Sequence, residues 1–267
     1  MAQAGDVSEV ANQVQDNTAL QAGARAGYGV SGLLHLLIGW IAIQIAWSGG
    51  GKPADQSGAL QTLAVTTVGW LTLWVAVVGF VALGLWQLAF GLAARPAKDS
   101  SRWAARAKGT SKAVLYLALA WTAFSAAKGH PKSSKAQSAD FTATLLQHTG
   151  GRLLVAAIGL AIIGVGGYHV VKGWRRKFLQ DLSGHPGAFA TRAGVVGYVA
   201  KGVALAVVGV LFVTAAVQNS PTKATGLDGG LRLLRQQPFG PWLLTAVALG
   251  IAAYGIYSFA RARYVRV

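Results

Sequence analysis

Cysteine is absent from this 267-residue chain and methionine occurs once. The lack of cysteine removes disulfides, thiolate nucleophiles, iron–sulfur clusters and cysteine zinc sites together. Acid is scarce as well: 8 Asp and Glu stand against 24 Lys and Arg, and charged residues make up only 12% of the chain. A soluble domain carries about twice that share, roughly 25%. No Asp or Glu falls inside any long apolar stretch. That argues against a carrier coupled to protons or cations through carboxylates, and against carboxylate acid–base catalysis. With no catalytic, metal-ligating or cofactor motif, the expectation is a protein that is not an enzyme and holds no cofactor. Residues 1–24 contain Asp6, Glu9 and Asp16 and no apolar run, so they do not form a signal-peptide core. They are expected to be a cytoplasmic tail, with Asp6 and Glu9 at capping-box spacing ahead of Val10 and Val14.

What is present is apolar. Hydrophobic residues make up 53%, mean hydropathy is +0.45, and there are 35 glycines. Six apolar segments run 28–47, 68–91, 113–127, 153–171, 194–217 and 241–260. Crossing a bilayer takes about 20 helical residues. Five segments suffice alone, and the third reaches that length through Thr110, Ser111 and Lys112 if the lysine snorkels. Fourteen Lys and Arg fall on one side of these segments, among them Arg25, Arg106, Arg175 and Arg261, against eight on the other. The bias predicts both termini in the cytoplasm of a bacterial inner membrane. Trp47, Trp70 and Trp242 at the opposite ends suit an interfacial belt. The net charge of +16 is thus read as topology and lipid contact. Nucleic acid is not expected, because no basic stretch is interleaved with stacking aromatics.

The segments repeat. Gly27-Tyr28, Gly32 and Gly39 align without a gap to Gly197-Tyr198, Gly202 and Gly209, and Lys112 and Lys201 fall opposite Ser31. In the second helices Gly79 and Gly84 match Gly159 and Gly164, then Gly250 and Gly255. Leu60 and Leu63 before Gly69 match Leu231 and Leu234 before Gly240. Three hairpin repeats follow, at 25–95, 106–177 and 192–263. Each two-helix unit returns the chain to its starting side, so the repeats are parallel rather than inverted. The predicted fold is all-α: six transmembrane helices, with a short amphipathic helix bridging each pair on the outer face. Asp55, Asp140 and Asp228 are placed to cap these bridges.

Candidate sites are few. Gly27, Gly32, Gly79, Gly84, Gly159, Gly164, Gly250 and Gly255 are read as helix-packing positions, since small residues let backbones approach where lipid removes the hydrophobic drive. Ser31, Lys112 and Lys201 sit just inside their helices, as contacts for lipid headgroups or for an anionic group between the helices. Gln44, Ser125 and Thr214 form a second, deeper polar layer. His35 and His169 could pair as haem ligands, but the equivalents of His35 are Tyr116 and Leu205, which favours neutral imidazoles bonded to a neighbouring helix.

The Gly-Tyr-x-x-Ser/Lys-Gly starts, the Leu-x-x-Leu before Phe239-Gly240-Pro241-Trp242-Leu243-Leu244 and the Gly-x4-Gly second helices together resemble the bacterial membrane family called Domain of Unknown Function 1206. In that family a two-helix unit typically occurs three times. The middle repeat departs from the pattern, lacking the Gly-Tyr start and the Phe-Gly-Pro-Trp signature. The resemblance implies a fold and no reaction, cofactor or catalytic residue. The expected role is an interaction, assembly or envelope component that contacts membrane lipids, membrane-protein partners or further copies of itself. The alternative is a small-molecule or ion permease with a path along the pseudo-threefold axis, which would need Gln44, Ser125 and Thr214 to converge there.

Overall fold

In a computed structural model of the chain, the described residues are 18–93, 99–130 and 133–264. The tail expected at 1–24 lies outside them up to residue 17, as do Arg95, Lys98, Lys132 and Arg266. Residues 18–24 are instead the first two turns of a helix. Among the described residues there is no strand, and nine α-helices follow in order. They are α1 (Thr18–Ser48), α2 (Gln56–Ala64), α3 (Thr67–Ala93), α4 (Asp99–Ala127), α5 (Ser134–Leu146), α6 (Gly151–Trp174), α7 (Gly187–Val217), α8 (Gly226–Arg235) and α9 (Gly240–Tyr264). Short 3-10 turns at Lys177–Asp181 and Pro221–Lys223 link α6 to α7 and α7 to α8. Five helices, α1, α3, α6, α7 and α9, are long and apolar enough to cross a membrane. Six such spans were expected. α4 is long enough, at 29 residues, but Thr110, Ser111, Lys112, Thr122 and Ser125 lower its hydropathy.

Glycine decides which helices meet. A Cβ at Gly202 would lie 2.6 Å from the Gly166 carbonyl oxygen, and one at Gly166 2.7 Å from that of Gly202. Gly159 and Gly209 face each other in the same way, at 2.8 and 2.6 Å, so α6 and α7 are antiparallel with backbones touching at both levels. Gly32 and Gly255 join α1 to α9 at 2.9 and 2.7 Å, with Gly39 against the Ala248 carbonyl. At the third seam α3 meets α4 through Gly84 against Leu117, and Gly109 against Gly91 and the Gln87 carbonyl. These three interfaces are the most extensive in the protein. Each joins the second helix of one sequence repeat to the first helix of the next, the third repeat returning to the first. Smaller antiparallel contacts join α1 to α3 through Gly27 and Gly79, and α7 to α9 through Gly197 and Gly250.

The six long helices thus form a row, α4–α3–α1–α9–α7–α6, and among the described residues its ends, α4 and α6, form no comparable interface with each other. At one end of the row, here called the upper end, sit α2, α5 and α8. Asp55 caps α2, accepting from the Gly58 N–H and the Ser57 hydroxyl, as the sequence suggested. Asp140 lies mid-helix in α5, whose cap is Ser133. Asp228, buried in the first turn of α8, accepts from the Ala54 N–H at 2.8 Å across the molecule and from Arg232 Nε. Arg235 donates from Nε to the Ala46 carbonyl. These bonds clasp α8 to the loop that follows α1. Beneath the clasp the core is apolar and closed: Ile38, Ile45, Leu60, Leu73, Leu83, Leu231 and Leu244 are buried.

One packing position needs correction. Nothing lies within 4 Å of a Cβ at Gly164. Residues five apart on a helix are turned by about 140°, so a Gly-x4-Gly pair addresses two neighbours. Gly79 meets α1 while Gly84 meets α4, and Gly250 meets α7 while Gly255 meets α1. α6 ends the row and, among the described residues, has an extensive interface with one long helix, α7. The glycine doing in α6 what Gly84 and Gly255 do elsewhere is Gly166, two residues further on. We expect Gly166→Leu or Gly202→Leu to destabilise the detergent-extracted protein by about 1–3 kcal/mol through overpacking, read as a lower midpoint of thermal aggregation. Gly164→Leu should leave the midpoint in place; equal damage at 164 and 166 would contradict this register.

Candidate functional site

The two polar layers read from the sequence have different fates. In the deeper one Gln44 is exposed on the face of α1 that carries Trp40 and Trp47. Thr214 is half-exposed and its hydroxyl donates to the Val210 carbonyl of its own helix. Only Ser125 is buried. The three do not converge, because residues 44 and 214 fall on the side of α1 and α7 turned away from the core.

The shallower layer gathers, and more residues join it than the sequence suggested. Lys201 Nζ lies 4.1 Å from the centre of the Tyr254 ring. The other side of this group is His35, whose ring is 4.8 Å from that of Tyr254. His35 Nδ1 donates to the Ser31 carbonyl at 2.6 Å. Arg261 stacks its guanidinium 4.4 Å from the centre of the Tyr28 ring. Tyr28 in turn accepts from Gln87 Nε2 at 3.2 Å and meets Tyr116 of α4 edge-on. Arg261 Nε is buried without a hydrogen-bond partner. On α6, His169 donates from Nδ1 to the Val165 carbonyl and stacks on Tyr198. Both histidines therefore bond their own helix, not a neighbouring one.

Glycines make room for the rings. A Cβ at Gly173 would touch Tyr198, one at Gly197 Tyr254, and one at Gly194 Phe178. Phe178 of the 3-10 turn, fully buried, stacks on Tyr198 at 5.2 Å and meets Tyr257 edge-on at 4.9 Å. The same turn ends at Asp181, which accepts from Lys172 Nζ at 2.6 Å. Burial by itself would raise the Asp181 carboxyl. The Lys172 hydrogen bond and charge, with Arg261 and Lys112 adding, hold it below the ordinary carboxylate value. The charges of Lys112, Lys172 and Lys201 all reach His169. Cations from α4, α6 and α9 thus act on the Asp181 carboxylate at the lower end of the row, while Lys201 of α7 lies over the Tyr254 ring. Chemically the cluster offers oxyanion donors, and nothing in it is arranged as a nucleophile with a base.

Arg261, Lys172, Tyr254, Tyr257 and Asp181 were not singled out from the sequence, where Arg261 and Lys172 counted as loop charges. A signal existed: Tyr254, Tyr257, Ser258 and Arg261 lie at i, i+3, i+4 and i+7, one face of α9.

Fold and cluster together define an all-α protein with helices of membrane-crossing length and a polar interior at one end. The chain belongs to the family described as Domain of Unknown Function (DUF1206), which matches at residues 26–94, 107–176 and 196–265. It is 26% identical over 252 residues, 90% of this chain and 89% of its relative, to the uncharacterised protein YxxB of Bacillus subtilis (strain 168). No solved structure matches. The second and third matched stretches share a constant offset of 89, from 107 to 196 and from 176 to 265, and the first leads the second by 81 at its start and 82 at its end. This register makes Gly84, Gly166 and Gly255 equivalent, in agreement with the packing. It also makes members of the cluster equivalent: Ser31, Lys112 and Lys201; Gln87, His169 and Ser258; and Lys172 and Arg261.

For Asp181 the sign of the pH dependence is fixed. A carboxyl held below its unfolded pKa, about 3.9, contributes stability that is present above that value and lost as pH falls through the folded pKa. Asp181→Asn should therefore lower the thermal midpoint near neutral pH, and the gap to wild type should close as acidification takes the pH below the ordinary carboxylate range. A gap independent of pH would contradict the Lys172–Asp181 tether.

Proposed function

We propose that this chain is a non-enzymatic, six-span protein of the bacterial cytoplasmic membrane, with both termini in the cytoplasm, that serves as an interaction, assembly or envelope component. The observation carrying this reading is the division of the interior. Lys, Arg and Tyr side chains collect at the lower end, while between them and the buried Asp55 and Asp228 of the clasp the interior is filled by buried Ile and Leu. A conducting path needs polar groups at successive depths, and Gln44 and Thr214 face away from the core. α4 supports a sixth span by running antiparallel to α3 along a glycine seam of the same kind as the other two. At 29 residues it is roughly 44 Å long, more than a bilayer core requires. α6, packed mainly on α7, leaves most of its surface free for lipid, a partner or a second copy.

Reconstitution into sealed vesicles tests both parts. Because the chain lacks cysteine, Ala107→Cys and Lys128→Cys at the two ends of α4 should label from opposite sides with an impermeant maleimide. The same vesicles should hold an ion gradient as long as protein-free ones. Labelling of both cysteines from one side would remove the sixth span, and a protein-dependent collapse of the gradient would replace the scaffold reading with the permease.

A further inference from the structure

We propose that the upper face of the protein is a docking surface for an anionic polymer in the aqueous compartment on that side. Eight Lys and Arg fall at this end, within 49–66, 128–152 and 218–239, against three Asp and no Glu. Of those three, Asp228 is buried and paired with Arg232, and Asp55 is buried as the cap of α2. Asp140 is the one carboxylate exposed here. No acid is missing from this balance, because the two residues at this end outside the described ones are Pro131 and Lys132. Asp6, Glu9 and Asp16 precede the lower end of α1, and Asp99 opens α4 at that same end.

Topology does not account for these cations. Lys and Arg set orientation by collecting on the cytoplasmic side, and this proposal rests on the orientation inferred above, which puts the upper end outside. Snorkelling from a helix end does not explain Lys52, Lys135 or Lys223 either. Lys52 lies five residues beyond Trp47 of the aromatic belt, in the loop that α8 clasps. Lys135 is in the first turn of α5, and Lys223 ends the 3-10 turn that packs on α5. These segments form one layer across the end of the row. Arg232 Nη2 donates to the Gly51 carbonyl, and a Cβ at Gly226, where α8 starts, would lie 3.5 Å from Ser138 Oγ of α5.

The kind of anion follows from which cations are free. The three arginines of this end are engaged: Arg152 on the Ala216 and Val217 carbonyls, Arg232 on Asp228, and Arg235 on the Ala46 carbonyl. Lys52, Lys135 and Lys223 are exposed, and among the described residues no carboxylate pairs with them. A planar guanidinium fork selects the shape of one oxyanion, whereas a lysine ammonium is a point charge on a flexible stem. Lysines spread over one layer, with the forks already occupied, respond to charge density rather than to a single headgroup. That fits a polymer of repeated phosphate groups, which engages several weak contacts at once.

The full-length protein in neutral detergent, carrying a fluorophore on Gln137→Cys of α5, tests this by titration with inorganic polyphosphate. The signal should saturate, and the apparent affinity should fall steeply between about 50 and 200 mM salt, as it does for contacts that release counterions. Lys52→Gln, Lys135→Gln and Lys223→Gln together should weaken it at least about tenfold. Arg175→Gln, Arg176→Gln and Lys177→Gln, exposed cations of the lower end, should together leave it unchanged. Phosphatidylglycerol added to the same micelles should give no comparable signal. The proposal is overturned if no saturable signal appears, if the upper triple variant binds like wild type, if the lower triple variant weakens binding equally, or if phosphatidylglycerol matches polyphosphate. Detergent exposes both ends of the protein, so a failure here is distinct from a failure of the orientation, which maleimide labelling reports.

Discussion

The close approach of glycine to a facing backbone carbonyl is the constraint on which the rest of this structure depends. Between membrane helices there is little hydrophobic drive, so contact must come from shape. At Gly166 with Gly202, Gly159 with Gly209 and Gly32 with Gly255, a single added methyl would sit within 3 Å of the opposite backbone. These contacts recur every seven residues, at 159, 166 and 173, at 202 and 209, and at 32 and 39, two turns apart on a nearly constant face. They hold the helices in a fixed order and at a fixed depth. The seams of greatest extent run between successive repeats, so each repeat is completed by the next.

From that order the interior follows. Helices with glycine on two opposed faces have two neighbours, and helices lacking one of those glycines end the row. The middle repeat carries Lys108 and Ala161 where its counterparts carry glycine, and there the row stays open. The repeats are also unequal in charge. In register, the first supplies Ser31 and Gln87, while the second and third supply Lys112, His169, Lys172, Lys201 and Arg261. A threefold architecture thereby carries an unequally charged interior, in which Arg261 of the third repeat packs on Tyr28 of the first.

Much of the architecture was legible in the sequence because membrane helices announce themselves by length and apolarity, and because glycines survive as landmarks. Gly27, Gly32, Gly79, Gly250 and Gly255 all lie at helix contacts. Gly164 matches Gly84 and Gly255 by its five-residue spacing yet makes no contact, because the seven-residue spacing from Gly159 to Gly166 is the one that keeps a shared face. The cluster was harder to read. Ser31, Lys112 and Lys201 were visible as an equivalent set. Arg261 and Lys172 look like ordinary basic residues at helix ends until packing turns them inward, and Asp181 lies in a turn whose path no periodicity encodes. The equivalents of His35 are Tyr116 and Leu205, which argues against a repeated histidine site, yet Tyr116 packs on Tyr28 and Phe80. Chemical identity across repeats is a poor guide where the repeats have divided their roles.

Oxidative cross-linking of paired cysteines tests the helix order most directly, in a chain with no background thiols. Ile163→Cys with Ala206→Cys, which line the same groove between α6 and α7, should form a disulfide rapidly in membranes. Leu117→Cys on α4 with Ile163→Cys on α6 should not. Efficient cross-linking of the second pair together with failure of the first would contradict the open row and the glycine seams that produce it.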